Sequence, residues 1–99
     1  MTYVIFEVKS EEVGKINQLI KDDLVSRQSI ITRDSNSIDI KGNFSYVKIE
    51  GSEEGVKRAE ELAKDIGLKK VDKKQAKKIS DKIDKQEDSA ATGMGMIFD

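Results

Sequence analysis

The spacing of apolar residues changes repeatedly along this chain, and those changes dictate its fold class. Over residues 3–8 the period is two: Val4, Phe6 and Val8 fall on one face, Tyr3, Ile5 and Glu7 on the other. Period two with β-branched and aromatic residues specifies a strand. Val13, Ile16 and Ile20 follow at helical spacing with Leu19 beside them, which predicts a helix over residues 11–22. Ser10 is its expected N-cap, with Glu11 and Glu12 at the positive end of the helix dipole, and Leu24 and Val25 close its exit. Residues 28–33 read as a second strand, and Asp34-Ser35-Asn36 as a turn. Ile38 and Ile40 alternate with Asp39 and Lys41, predicting a third strand over 37–41 before a turn at Gly42-Asn43. Phe44, Tyr46, Lys48 and Glu50 alternate with Ser45, Val47 and Ile49 in a fourth strand, with Val47 and Ile49 expected inward. Ser52 then caps a helix whose stripe is Val56, Ala59, Leu62, Ala63 and Ile66, and Gly67 stops it.

The expected order is β-α-β-β-β-α. Two amphipathic helices over one face of a mostly antiparallel sheet define an α+β, two-layer sandwich. Phe6 and Leu62 should sit on opposite layers of its core. The other sheet face leaves Tyr3, Ile5, Phe44 or Tyr46 available to a partner. The expected organisation is an α+β domain over residues 1–68, a lysine-rich helix or hinge over 69–86, and a flexible tail over 87–99. Val71, Ala76, Ile79 and Ile83 make a thin apolar stripe among the lysines of the middle segment.

Chemistry is restricted by what the chain lacks. There are no Cys and no His among 99 residues, so no disulfide, thiolate nucleophile or imidazole proton shuttle is available. The carboxylate pairs Glu11 with Glu12, Asp22 with Asp23, and Glu53 with Glu54 are sequence neighbours, and adjacent helical residues point about 100° apart. A non-enzymatic protein with no cofactor and no metal is expected. The first strand turns charged too soon for a signal peptide or a spanning helix, which predicts a cytoplasmic protein with no membrane role. Abundant Lys, Glu and Ile with no Cys lean toward a heat-adapted archaeal source.

A net charge of −1 conceals strong polarity. Residues 1–68 carry −3, residues 69–85 carry +5 and residues 86–99 carry −3. Lys70, Lys73, Lys74, Lys77 and Lys78 are the candidate nucleic-acid contacts, because binding a phosphate backbone needs closely spaced cations and little else. No aromatic or Arg interleaves them, so sequence-specific readout within the segment is not expected. The alternative is a solvated helix or hinge.

The last seven residues, Gly93-Met94-Gly95-Met96-Ile97-Phe98-Asp99, end a polar stretch in large apolar side chains. Behind a charged hinge, this Gly-x-Gly-x-apolar-Phe spacing resembles the C-terminus of the acidic ribosomal stalk proteins. The resemblance implies capture of a translational GTPase or ATPase, with Met94, Met96, Ile97 and Phe98 as anchors and the two glycines as joints. The alternative is that Met96-Ile97-Phe98 folds back as a strand or plugs the sheet. Residues 45–66, an apolar strand ending in Gly51 before an Ala-containing helix, resemble the end of a KH RNA-binding domain, although the chain has no Gly-x-x-Gly loop. The whole chain resembles small archaeal α+β proteins. Together these point to a binding module associated with RNA, the ribosome or the translation machinery. The alternative is a protein–protein adaptor or small homodimer with no nucleic-acid role.

Overall fold

A computed structural model of the chain describes residues 2–98 along the backbone and the side chains of residues 2–86. Strands β1 (Thr2–Lys9), β2 (Ser29–Asp34), β3 (Phe44–Gly51) and β4 (Lys69–Lys70) form one antiparallel sheet in the order β2-β3-β1-β4. Helices α1 (Gly14–Ile20), α2 (Asp23–Ser26) and α3 (Glu53–Ile66) cover one face, and α4 (Lys73–Phe98) packs on the other. The α+β class, the antiparallel sheet and the helices on one face are as the sequence predicts.

The period-two pattern sets the sheet's first face. Phe6 lies opposite Val47 and Val4 opposite Ile49, so both pairs point the same way. They meet Ile16 and Leu19 of α1, Val25 of α2, and Val56, Ala59 and Ala63 of α3. Phe6 is buried and Leu62 packs half-buried against the same cluster, as expected of two layers of one core. Ser52 Oγ accepts from Gly55 N–H at 3.1 Å and so caps α3. Gly67 ends it at φ 96°, a left-handed conformation that costs glycine least.

The segment after β1 departs from the expected single helix. Ser10 lies within a 3-10 turn, Ser10–Glu12, and its side chain caps nothing. The chain breaks again at Asp22, whose Oδ2 accepts from Leu24 N–H and Val25 N–H and so starts α2. Asp22 Oδ1 also accepts from the Arg58 guanidinium of α3 at 3.2 Å, which holds its carboxyl below the ordinary range. Leu24 and Val25 thus open a second helix rather than closing the first.

The predicted strand over 37–41 is instead a 3-10 turn, Ser35–Ile38, ended by Asp39 at φ 57°. Ser35 Oγ donates to Gly42 O at 2.6 Å and accepts from Phe44 N–H at 3.3 Å, closing the loop on itself. Ile38 is buried and Ile40 half-buried, both in the second cluster, so their alternation serves a compact turn.

The larger correction concerns the second sheet face. Ile5 and Tyr46, expected to be available, are 0% and 1% exposed. They are covered by Val71 and by Ala76, Ile79 and Ile83 of α4. The thin stripe suffices because the sheet supplies the rest of the apolar surface: Ile5, Tyr46, Ile31 and Phe44. The sandwich therefore has three layers, and the boundary expected after residue 68 runs through packed structure. Hydrogen bonds tie the middle of α4 to the β2 side: Arg33 Nε donates to Gln86 Oε1 at 2.9 Å, Gln86 Nε2 donates to Ser37 O, and Lys82 Nζ donates to Asp39 O. The expected anchors Met94, Met96, Ile97 and Phe98 lie outside the described side chains.

Candidate basic groove beside helix α4

Docking α4 by its apolar stripe fixes where its lysines go. Ala76, Ile79, Ser80 and Ile83 face the sheet. At about 100° per residue, Lys74, Lys78 and Lys85 then fall on the outward crest, while Lys73 and Lys77 fall on the flank. All five are exposed. Asp72 begins the helix by accepting from Gln75 N–H at 2.8 Å. The first turn otherwise carries Lys73 and Lys74, two cations at the positive end of the helix dipole. That arrangement favours an anion nearby.

Lys70 is not on the helix. It lies on β4, opposite Phe6 of β1, and its Nζ is 3.2 Å from Glu60 Oε2 of α3. Lys70, Lys73 and Lys77 converge on a groove of about 470 Å³, floored by Thr2 to Ile5 of β1 and edged by Glu60. Three of the five predicted lysines are thus brought together, and Lys74 and Lys78 stand outside.

The groove also contains what the lysine segment lacks. Tyr3 is 36% exposed and lines it. Lys48 Nζ stands over the Tyr3 ring, 5.2 Å from its centroid, as a cation–π contact. The same ammonium is 3.7 Å from Asp84 Oδ1 of α4 and 3.9 Å from Glu50 Oε1. Lys48 is 5% exposed, so its head group ties sheet, ring and helix together. The alternation of β1 puts Tyr3 on the sheet face away from Phe6 but does not bring it to the lysines. The missing signal was β4, a two-residue strand too short to register in any periodicity.

Tyr46 lies under α4, and its hydroxyl donates to Glu7 Oε2 at 3.0 Å. Burial first, then the Glu7 hydrogen bond and charge, raise its pKa to about 12. Gly51 and Gly55, at the junction of β3 and α3, have a packing role. A Cβ at Gly55 would sit 2.2 Å from Gln28 Cδ, and one at Gly51 would sit 2.1 Å from Gln28 Oε1. The Gln28 amide fills that space, donating to Leu24 O at 2.9 Å and accepting from Ser52 N–H at 3.0 Å. Among the described residues no three acidic side chains converge to hold a metal ion.

Fold and groove together define an α+β protein whose antiparallel sheet is covered on both faces and carries a basic, aromatic-floored cleft at one edge. No protein-family model, curated protein or solved structure matches the chain. Among the described residues no helix is long and apolar enough to cross a membrane.

Proposed function

We propose that this protein is a non-enzymatic binding module for nucleic acid, with RNA or the ribosome as the expected cytoplasmic partner. One observation carries the reading: docking of α4 by its apolar stripe leaves Lys73, Lys74, Lys77 and Lys78 all exposed, on the crest and flank of a helix fixed to the sheet. Cations on a rigid rod lose less conformational freedom on meeting a phosphate backbone than cations on a hinge. Neutralising phosphates releases counterions, so binding should weaken steeply as salt rises. The measurement is fluorescence polarisation of a labelled RNA against salt concentration. Replacing all four lysines by Gln should flatten the slope of log K against log salt by about 3. Salt-independent binding, or none at low salt, overturns the reading.

The stalk-like spacing of Met94, Met96, Ile97 and Phe98 supports a second contact, with a translational GTPase or ATPase. A peptide of residues 86–99 tests it directly: Phe98→Ala should weaken capture, and equal capture by wild type and variant removes that part of the proposal. An adaptor or homodimer role is favoured by a different feature. β2 is an outer strand, paired only with β3, and exposed Val13 stands beside it in a cleft with Ile16, Ile20 and Thr32. Dimerisation by sedimentation with no RNA binding would select that reading.

A further inference from the structure

Tyr3 is the one exposed aromatic among the described residues, and it lines one groove with three lysines from two different elements. Its exposure has a structural cause. β4 pairs only with Phe6 and Glu7 of β1, which leaves the Thr2–Val4 stretch of that edge without a strand. α4 begins beyond it, so helix and short strand frame the opening rather than close it. We propose that this groove takes one nucleotide of a single-stranded nucleic acid, its base stacked on the face of the Tyr3 ring that Lys48 does not cover and its flanking phosphates on Lys70, Lys73 and Lys77. The inference rests on the nucleic-acid reading above and gives it a mode of binding.

Four details support stacking over simple charge attraction. An aromatic face ringed by cations is what sequence-tolerant single-strand binding requires, because every base has a π-face and every linkage a phosphate. The ring is also held in place: Lys48 stands over it and is itself anchored to Asp84 and Glu50. The edge supplies hydrogen bonds as well. Val71 N–H donates to Ile5 O at 2.9 Å, so odd-numbered residues of β1 turn their backbone groups toward this side. Tyr3, two residues along and past the end of β4, therefore offers an N–H and a C=O to a base edge. Lastly, the volume suits one nucleotide and not a duplex, whose bases are paired and stacked away from such a platform.

Glu60 opposes the ligand. It repels phosphate and occupies Lys70 at 3.2 Å. The pair is exposed on both sides, and exposed ion pairs are weak enough to be exchanged for a phosphate. Glu60→Gln should therefore tighten binding and steepen its salt dependence.

The full chain supplies its own probe. It has no Trp and two Tyr, of which Tyr46 is buried and bonded to Glu7. Tyr fluorescence quenching on titration thus reports stacking on Tyr3. The titrants are a single-stranded RNA and a single-stranded DNA of about 12 nucleotides, a duplex of the same sequence, and inorganic polyphosphate. Both single strands should quench, whereas duplex and polyphosphate should bind more weakly without quenching. A preference for RNA over DNA would assign the sugar. Tyr3→Ala should lose about tenfold in affinity, while Tyr3→Phe should keep the affinity and lose the quench. Retention of wild-type affinity in Tyr3→Ala, with folding verified by circular dichroism, overturns stacking. If the lysine variants still lose binding in that case, the broader reading survives. Absence of binding by every titrant overturns both.

Discussion

Lys48 shows how a single residue sets the local geometry. A buried ammonium is costly unless its partners compensate for lost hydration. Here Asp84 and Glu50 are themselves 59% and 38% exposed, so neither depends on Lys48 to stay satisfied. Removing the charge therefore strands no buried carboxylate. Lys48→Met, which keeps the stem packed, should leave unfolding free energy within about 1 kcal/mol of wild type or raise it. Lys48→Ala removes the packed stem as well and should cost roughly 2 kcal/mol. Urea denaturation of both variants checks this, and equal losses would mean that the charge, not the stem, matters. Tyr46 gives a second residue-scale expectation. Its pKa is raised from 10.0 to about 12 in the fold. Below pH 10 both folded and unfolded chains keep the phenol protonated, and the contribution to stability is fully present. Between 10 and about 12 the unfolded chain loses this proton first, so the folded state binds more protons and stability falls as pH rises. The melting temperature should accordingly fall more steeply across that window in wild type than in Tyr46→Phe, in which Glu7 also loses its donor.

Among the elements, α4 carries the most consequence. Ile79 and Ile83 are both fully buried, against Ile5, Tyr46 and Ile38. Each truncation to Ala should cost about 2–5 kcal/mol. A chain ending at Lys69 should lose cooperative unfolding and NMR dispersion, because one sheet face would be bare. Retained cooperativity would mean that the helix merely rests on a finished domain. The contrast with the rest of the chain explains what was legible beforehand. β1, β3 and α3 could be read to within about one residue, since their patterns are long and α3 carries both a Ser cap and a Gly stop. The stripe of α4 is visible in the sequence too, but it is thin, and its width alone does not decide between a docked helix and a hinge. Width matters less than what lies opposite, and Ile5 and Tyr46 sit far away in sequence. Ile38 and Ile40 misled for a related reason. Two alternating isoleucines fit a strand, whereas Ser35, bonded across the loop to Gly42 and Phe44, fixes a turn that tucks them under α4. For the groove, the lysines were readable as a group. Tyr3 joined them only through β4.

At the scale of the whole molecule, one sheet face is sealed by α1, α2 and α3 and the other by α4, and β4 with the first half of α4 belongs to the +5 segment of residues 69–85 whereas residues 1–68 carry −3. A chain with net charge −1 thus presents a basic ridge without being a basic protein. Two kinds of lysine share that ridge and should separate experimentally. Lys74 and Lys78 stand on the crest, outside the groove, and act only through charge. Lys73 and Lys77 line the groove with Tyr3. Converting either pair to Gln removes two charges, so both double variants should lower the salt slope by about 1.4 for a single strand. Only the groove pair should also reduce the Tyr3 quench at saturating ligand, because only those residues hold the strand against the ring. Stability offers an independent control. Lys73 sits at the positive end of α4, so its replacement should leave the melting temperature unchanged or slightly raised. Indistinguishable quenching in the two double variants would show a ligand held along the ridge with no base in the groove.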